Sequence, residues 1–423
     1  MDDRAATYPP NLLDEDVQGV LGRPLDRVDG PLKVSGRARY AYEHAGEGQA
    51  AYGVIVGAGI ANGRVAGIDA SEAEAMPGVL LVMTHLNAPG QADYVTADKI
   101  PMGGNPYGVA RPFLADDRVR YHGEPVAFVV AERFEQARDA AANVKVRYEP
   151  GPPPVTRVKA EAARAYKPKD IRGFLETDSV VGDFAAAFAN APVQIDSTFE
   201  TPYQHHHALE PHAAMATWNG DALTLQASVQ LPMGSRDVIA STLKIAPDKV
   251  RILCKFVGGG FGGKLATEAD AVLVALAARE LGRPVKTAFT RQQVAVNVTH
   301  RTESLQRVRL GAEPDGRLIA MAHEALEHTS TFDEFAEQTV DFARHLYAAP
   351  HRLTTHRLVR LDLPHPGDMR APGEAIGMLA FEQAMDELAV ATGLDPIELR
   401  IRNEPSAHPE TGRPFSTRQL VEC

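Results

Sequence analysis

Along the first third of the chain, short apolar runs alternate with a stretch of helical spacing. The runs 51–58, 64–69, 79–85 and 124–131 read as strands. Residues 132–143 read as a helix, and 145–148 as the strand that follows it. Gly151-Pro-Pro-Pro154 then interrupts both periods and reads as a domain boundary. The expectation is a compact α+β domain over 22–150, preceded by an N-terminal extension 1–21 and followed by a linker 151–180.

The second unit, 181–423, mixes the same periods. Asn219-Gly220, within Thr217-Trp-Asn-Gly-Asp221, is a hairpin signal because both residue types accept the positive φ angles of a tight turn, so strands should flank it. Residues 232–243 read as a helix, 249–257 as a strand, 266–281 as a long apolar helix stopped by Gly282, and 285–289 as another strand. Pro314-Asp-Gly316 should turn a second hairpin. A helix over 376–392 carries Leu379, Phe381, Met385 and Leu388 towards one face and stops at Gly393, and Asp395-Pro396 opens the next. Ser416-Thr-Arg-Gln419 has the form of a capping box. The helix it opens would run about two turns, which is marginal at a free terminus. The expectation is a chain cut within a helix, with a short docked terminal helix as the alternative, and the fold class expected overall is α+β.

Charge narrows the partners. Lys and Arg number 44 against 55 Asp and Glu, and a formal charge of -11 gives no general attraction to nucleic acid or anionic lipid. Cys254 and Cys423 are the two cysteines, which excludes a multi-disulfide framework and any zinc site or iron–sulfur cluster needing four cysteines from this chain. No apolar stretch approaches the roughly 20 residues that cross a bilayer. Residues 1–18 lack the basic-then-apolar pattern of a signal peptide. The expected location is the cytoplasm, or the periplasm if the chain is exported with a partner.

The sharpest chemical feature is Val257-Gly-Gly-Gly-Phe-Gly-Gly-Lys264, between a strand and a helix. Glycines let backbone N–H groups approach an anionic ligand, and a helix N-terminus beyond adds partial positive charge. Four readings compete. A phosphate-binding P-loop has Gly258, Gly263 and Lys264 in place but needs Ser or Thr next, where Leu265 stands. A dinucleotide fingerprint has Gly258, Gly260 and Gly263 but needs an acid after the next strand, where Thr290-Arg291 stands. A closely packed glycine turn with no ligand is the third. The fourth comes from a resemblance that rests on more than this loop.

Gly258 to Lys264 is similar to the molybdopterin loop of the xanthine dehydrogenase and aldehyde oxidase large subunits. Gln230, in Ala-Ser-Val-Gln-Leu-Pro, matches the family glutamine that hydrogen-bonds an oxygen ligand of molybdenum. Arg370, in Asp-Met-Arg-Ala-Pro-Gly-Glu-Ala followed by Gly377-Met-Leu, matches the third cofactor-side motif. Three motifs in order are far more specific than one. Further matches are Gly22-Arg-Pro-Leu-Asp-Arg-Val-Asp-Gly30, Tyr121-His-Gly-Glu-Pro-Val-Ala127 and Leu209-Glu-Pro-His212. Ala348-Ala-Pro-His-Arg-Leu353 resembles the bacterial aldehyde oxidoreductase branch.

The resemblance implies a hammerhead-like α+β domain over 22–150 and the first of two molybdenum-cofactor-binding regions over 181–423. It implies a molybdenum–molybdopterin cofactor, its cytosine dinucleotide form an open option, held by Gln230, Gly260, Phe261, Gly262 and Arg370, with no direct metal ligand from the chain. The implied reaction oxidises aldehydes to carboxylic acids with water as the oxygen source. Electrons would leave through [2Fe-2S] on an iron–sulfur subunit and FAD on a further subunit. Purine-hydroxylating members carry a glutamate after the loop lysine and an arginine near Gln338. Leu265 and Gln338 stand here, so the implied substrate pocket favours aldehydes over purines, with an N-heterocycle of another kind left open.

The family's proton-accepting glutamate lies in a Gly-Glu context near the far end of the complete subunit. Past residue 100 the Gly-Glu pairs are Gly123-Glu124 and Gly373-Glu374, and both belong to other motifs. No catalytic base is therefore assigned in this chain, and the second cofactor region is expected to be missing or on a separate polypeptide. The alternative function is a non-catalytic cofactor-binding or assembly module. Finally, Gln204-His-His-His-Ala-Leu-Glu-Pro-His212 invites a metal reading, since a strand would put His205 and His207 on one face. Pro211 and the lack of a zinc-protease spacing oppose it, and the resemblance sets this stretch beside the substrate channel.

Overall fold

A computed structural model describes residues 19, 21–44, 49–96, 99–100 and 108–422. Residues 1–18 and 20 of the expected extension lie outside the described residues. Met1–Arg39 and Tyr40–Cys423 are separate compact units. In the first, Gly30–Val34 is a short helix with proline in its first turn, and Lys33 pairs with Asp29 one turn back.

The second unit carries strands β1 (Ala51–Gly57), β2 (Gly63–Asp69), β3 (Val79–Thr84), β4 (Arg118–Val119), β5 (Pro125–Ala131), β6 (Lys145–Pro150), β7 (Ser179–Val181), β8 (Val193–Thr201), β9 (Ala213–Asn219), β10 (Ala222–Ala227), β11 (Val250–Leu253), β12 (Val285–Ala288), β13 (Ser304–Ala312), β14 (Leu318–Ser330) and β15 (His351–Leu361). They form a seven-stranded sheet in the order β11-β10-β9-β12-β1-β5-β3, a five-stranded sheet β7-β15-β14-β13-β8 and a three-stranded sheet β4-β2-β6. The largest sheet is mixed: β1 runs parallel to β12 and antiparallel to β5, so strands from both sides of the Gly151–Pro154 break share it. The fold is α+β.

Burial on both faces explains the continuous apolar run of β5. Ala127 and Val129 join a cluster with Ala73 and Ala140, while Phe128 and Val130 point into the opposite core with Leu225, Leu273 and Leu276. Gly53 on β1 makes room for the Phe128 ring, because a Cβ there would lie 2.0 Å from Phe128 Cζ. The helix Ala269–Leu281 is apolar on every face from Ala271 to Ala278 and is buried from Ala269 to Ala278, as such a helix must be. Trp218 Nε1 on β9 donates to Ala275 O at 2.9 Å, and the helix stops at Gly282 in the left-handed region. The helix Glu374–Thr392 sets Phe381, Ala384, Met385 and Leu388 against Val308 and Leu310 of β13.

Several expectations need correction. Leu379 is 45% exposed, off the face that Phe381, Met385 and Leu388 bury. In the β9–β10 hairpin only Gly220 of the expected pair has positive φ, so the left-handed residue is the first of the two turn residues, Gly220-Asp221. β11 is shorter than 249–257, and the following helix begins at Ala269 rather than 266. The capping box at Ser416 opens no helix. Leu420 and Val421 are more than half exposed, so a helix there would bury no apolar face to offset its nucleation cost. Arg418 instead pairs with Glu404 and donates to Leu346 O at 2.7 Å. Among the described residues no helix is long and apolar enough to cross a membrane.

Candidate functional site

Beyond β11 the chain enters the glycine loop, which turns at 261–264 with φ +55 at Phe261 and +105 at Gly262. Side chains from elsewhere hold that turn. Gln230, past the end of β10, accepts on Oε1 the N–H of Gly262 at 2.9 Å and of Lys264 at 3.1 Å, and its own backbone N–H donates to Lys264 O at 2.7 Å. With Oε1 committed, the amide orientation is set, and the exposed Gln230 has its NH2 left to donate.

The Leu209-Glu-Pro-His212 motif supplies the clamp beneath. Glu210 Oε2 accepts from Gly258 N–H at 2.6 Å, the Ser228 hydroxyl at 2.7 Å and the Lys264 ammonium at 3.0 Å. Lys264 is fully buried in this pair. Burial pulls its pKa down while Glu210 supports its charge, so the lysine braces the loop from inside. That removes the P-loop reading on a second ground. His212 Nε2 donates to Gly263 O at 2.7 Å, and burial pulls its imidazole down to about 3, which keeps it a neutral donor.

The third motif joins at Phe261, whose carbonyl accepts the Arg370 N–H at 2.9 Å, while Arg370 itself is exposed. Asp368 O sits where a Gly262 side chain would be and accepts from His206 Nε2 at 2.7 Å. Gly260 is buried, and a Cβ there would lie 2.3 Å from Gln230 Oε1. Gln230, Gly260, Phe261, Gly262 and Arg370 thus converge. Of the two residues expected on the substrate side, Leu265 is half-buried, with its N–H on Gly262 O at 3.1 Å. Gln338 comes from a different segment and accepts from Arg172 Nη1 at 3.1 Å.

The helix dipole contributes less than the sequence suggested. The helix starts five residues past Lys264, and carboxyls stand at its start: burial pushes the half-buried Glu268 at the N-cap up to about 8 and the buried Asp270 in the first turn up to about 6. Residues 205–208 are irregular rather than a strand, so His205 and His207 have no shared sheet face. Among the described residues no three His, Cys, Asp or Glu side chains assemble as metal ligands.

Ala266, Thr267 and Glu268 line a cleft of about 520 Å³ immediately after the loop, with Tyr94, Phe113 and Phe332 among its other walls. Asn297 and the Thr267 hydroxyl also line it, buried, with no hydrogen-bond partner among the described residues for either amide atom or for the hydroxyl. Sequence reasoning missed these, and also Arg301, Glu337 and Asp368, because nothing in a local pattern distinguishes a buried polar residue from an exposed one.

Mixed sheets bring a glycine loop, an oriented amide and an exposed arginine to one place in this α+β protein. The molybdopterin cofactor-binding domain model matches residues 166–404, and the aldehyde oxidase and xanthine dehydrogenase a/b hammerhead domain model matches residues 35–152. The chain belongs to the molybdopterin-binding subunits of the aldehyde oxidase and xanthine dehydrogenase family. It is 44% identical over 406 residues to the Escherichia coli K12 aldehyde oxidoreductase molybdenum-binding subunit PaoC, covering 96% of this chain and 53% of that one. It is 28% identical to the nicotinate dehydrogenase large molybdopterin subunit of Eubacterium barkeri, covering 95% of this chain and 92% of that subunit. The solved aldehyde oxidoreductase of Desulfovibrio gigas superposes with a TM-score of 0.80 at 28% identity, over 94% of this chain and 45% of that one. The chain therefore spans about half the length of PaoC and of the Desulfovibrio protein.

Proposed function

We propose that this chain provides one side of a molybdenum–molybdopterin site and, joined to the remaining length of its relatives, forms the molybdenum-binding part of an aldehyde oxidoreductase. The observation that carries the reading is the meeting of Gln230, the glycine loop and the Arg370 turn within hydrogen-bond reach. Gln230 Nε2 would donate to an oxygen on the metal, and Phe261 N–H with the Arg370 guanidinium would hold the anionic part of the cofactor. The Gly262 N–H is already taken by Gln230. When bound, the cofactor supplies Lewis-acid activation of oxygen and accepts two electrons. With two cysteines in the chain, those electrons would pass to iron–sulfur and FAD partner subunits.

For substrate, Leu265 cannot accept a purine N–H, which favours aldehydes that never needed that bond. The cleft after Leu265 would admit a small molecule, with Thr267 and Asn297 free to meet its polar atoms. The names of PaoC and of the Desulfovibrio enzyme support this substrate class.

The test is expression in a molybdopterin-making host with iron–sulfur and FAD partners, with and without the complementary half. The complete assembly should hold molybdopterin and reduce dye faster with benzaldehyde than with xanthine. The form lacking the complement should show no turnover, since the base is assigned to no residue here. Faster xanthine turnover would overturn the substrate class. Full activity without the complement would overturn the assignment of the base, and a complete assembly free of molybdopterin would overturn the function.

A further inference from the structure

Arg301 lies between the helix Arg291–Asn297 and β13, in the polar run Thr299-His-Arg-Thr-Glu303, and is buried. Its Nε donates to Glu337 Oε1 at 3.0 Å. Its Nη2 faces three successive carbonyls, Met369 O at 2.6 Å, Arg370 O at 2.7 Å and Ala371 O at 3.1 Å. Glu337 Oε1 also accepts the Gly373 N–H at 2.8 Å. One ion pair thus grips both ends of a single turn, by its carbonyls at 369–371 and its amide at 373.

The grip is itself braced. The Glu337 N–H donates to Glu327 Oε2 at 3.2 Å, and the Thr339 hydroxyl donates to Glu327 Oε1. His356 Nε2 lies 3.2 Å from Glu327 Oε2. Ala371 is held at φ +55, a conformation that alanine rarely adopts and that persists only where surrounding bonds over-determine it. With these carbonyls turned inward, Arg370 stays exposed while its N–H remains on Phe261 O.

A buried ion pair is weak evidence of a stabilising role, because a well-packed apolar pair of similar volume often holds a fold as well. An apolar pair could not collect three carbonyls and an amide. We infer that Arg301 and Glu337 are positioning residues that pre-set the Arg370 turn against the Phe261 loop, so that both meet the anionic part of the cofactor in place. The inference rests on the cofactor reading above.

The test compares complete assemblies by molybdopterin retained after gel filtration, read as fluorescence of the released oxidised pterin, and by thermal midpoint. Arg301→Lys keeps a positive charge beside Glu337. An ammonium presents its donors from one point and cannot serve Glu337 and three carbonyls together. The expected result is a midpoint near that of the wild type with about tenfold less retained pterin, the scale typical of lost support around a metal site. Arg301→Met with Glu337→Met removes both charges together and should likewise fold and lose pterin. Wild-type pterin content in either folded variant would overturn the inference. So would pterin loss that only tracks loss of folded protein in both variants. A wild-type assembly without pterin would overturn the cofactor reading instead.

Discussion

Gly262 carries two demands at once. Its φ of +105 suits glycine, and a Cβ there would lie 2.1 Å from Asp368 O, a backbone atom that cannot swing aside. Gly262→Ala should therefore cost of order 1–3 kcal/mol in backbone strain alone and push the Asp368–Arg370 segment off the loop. Denaturant midpoint and pterin retention should fall together, in contrast to Arg301→Lys; an unchanged midpoint would show that the two segments do not pack as described. At this scale Gln230, the glycines and Arg370 were legible as a local string of residue types. The use of each was not. Sequence suggested that Gly262 stays bare so that a ligand can approach, whereas the structure fills that space with Asp368 O and turns the Gly262 N–H to Gln230. Lys264, which the P-loop reading would have set beside a phosphate, is an internal brace on Glu210.

Among the elements, those with strong periodicity and a glycine stop were legible. The helices Ala269–Leu281 and Glu374–Thr392 match their expected spans to within three residues at each end. The first is the hub of the largest core cluster, so Leu273→Ala should cost about 2–5 kcal/mol, a lost side chain plus the cavity it leaves. Chemical denaturation would measure it, and a loss below half a kcal/mol would mean that the site collapses freely. β15 was not identified, for a physical reason. Its buried positions include Arg352, Thr354 and His356, so the expected alternation is inverted by polar residues that the sheet satisfies or encloses. The capping box at Ser416 failed the opposite way: a good local signal with no tertiary burial behind it.

Over the whole molecule, buried titratable groups of two kinds should shape stability with pH. Burial lifts Glu268 to about 8 and Asp270 to about 6. Each binds its proton more tightly folded than unfolded, so its contribution is complete below the ordinary carboxyl range and is lost as pH rises through the folded value. Burial pulls His212, His323 and His328 down to about 3. Their contribution is present above the ordinary imidazole value of 6.5 and is lost as pH falls towards 3. The two sets oppose one another between about 4.5 and 6.5. The thermal midpoint should form a plateau there, falling towards pH 8 on one side and below pH 4 on the other. Glu268→Gln should flatten the alkaline arm; an arm of unchanged slope would remove Glu268 as its source. Sequence by itself determined the α+β class, the family and the positions of the three motifs around Gln230, the glycine loop and Arg370, because each is written in contiguous residues whose spacing or chemistry is local. Only the tertiary structure decided that those motifs meet, that Glu210 and His212 clamp the loop, and that Arg301 and Glu337 grip the Arg370 turn. Those bonds join residues tens of positions apart, and whether a charge there is buried and satisfied depends on packing from segments that no local pattern connects.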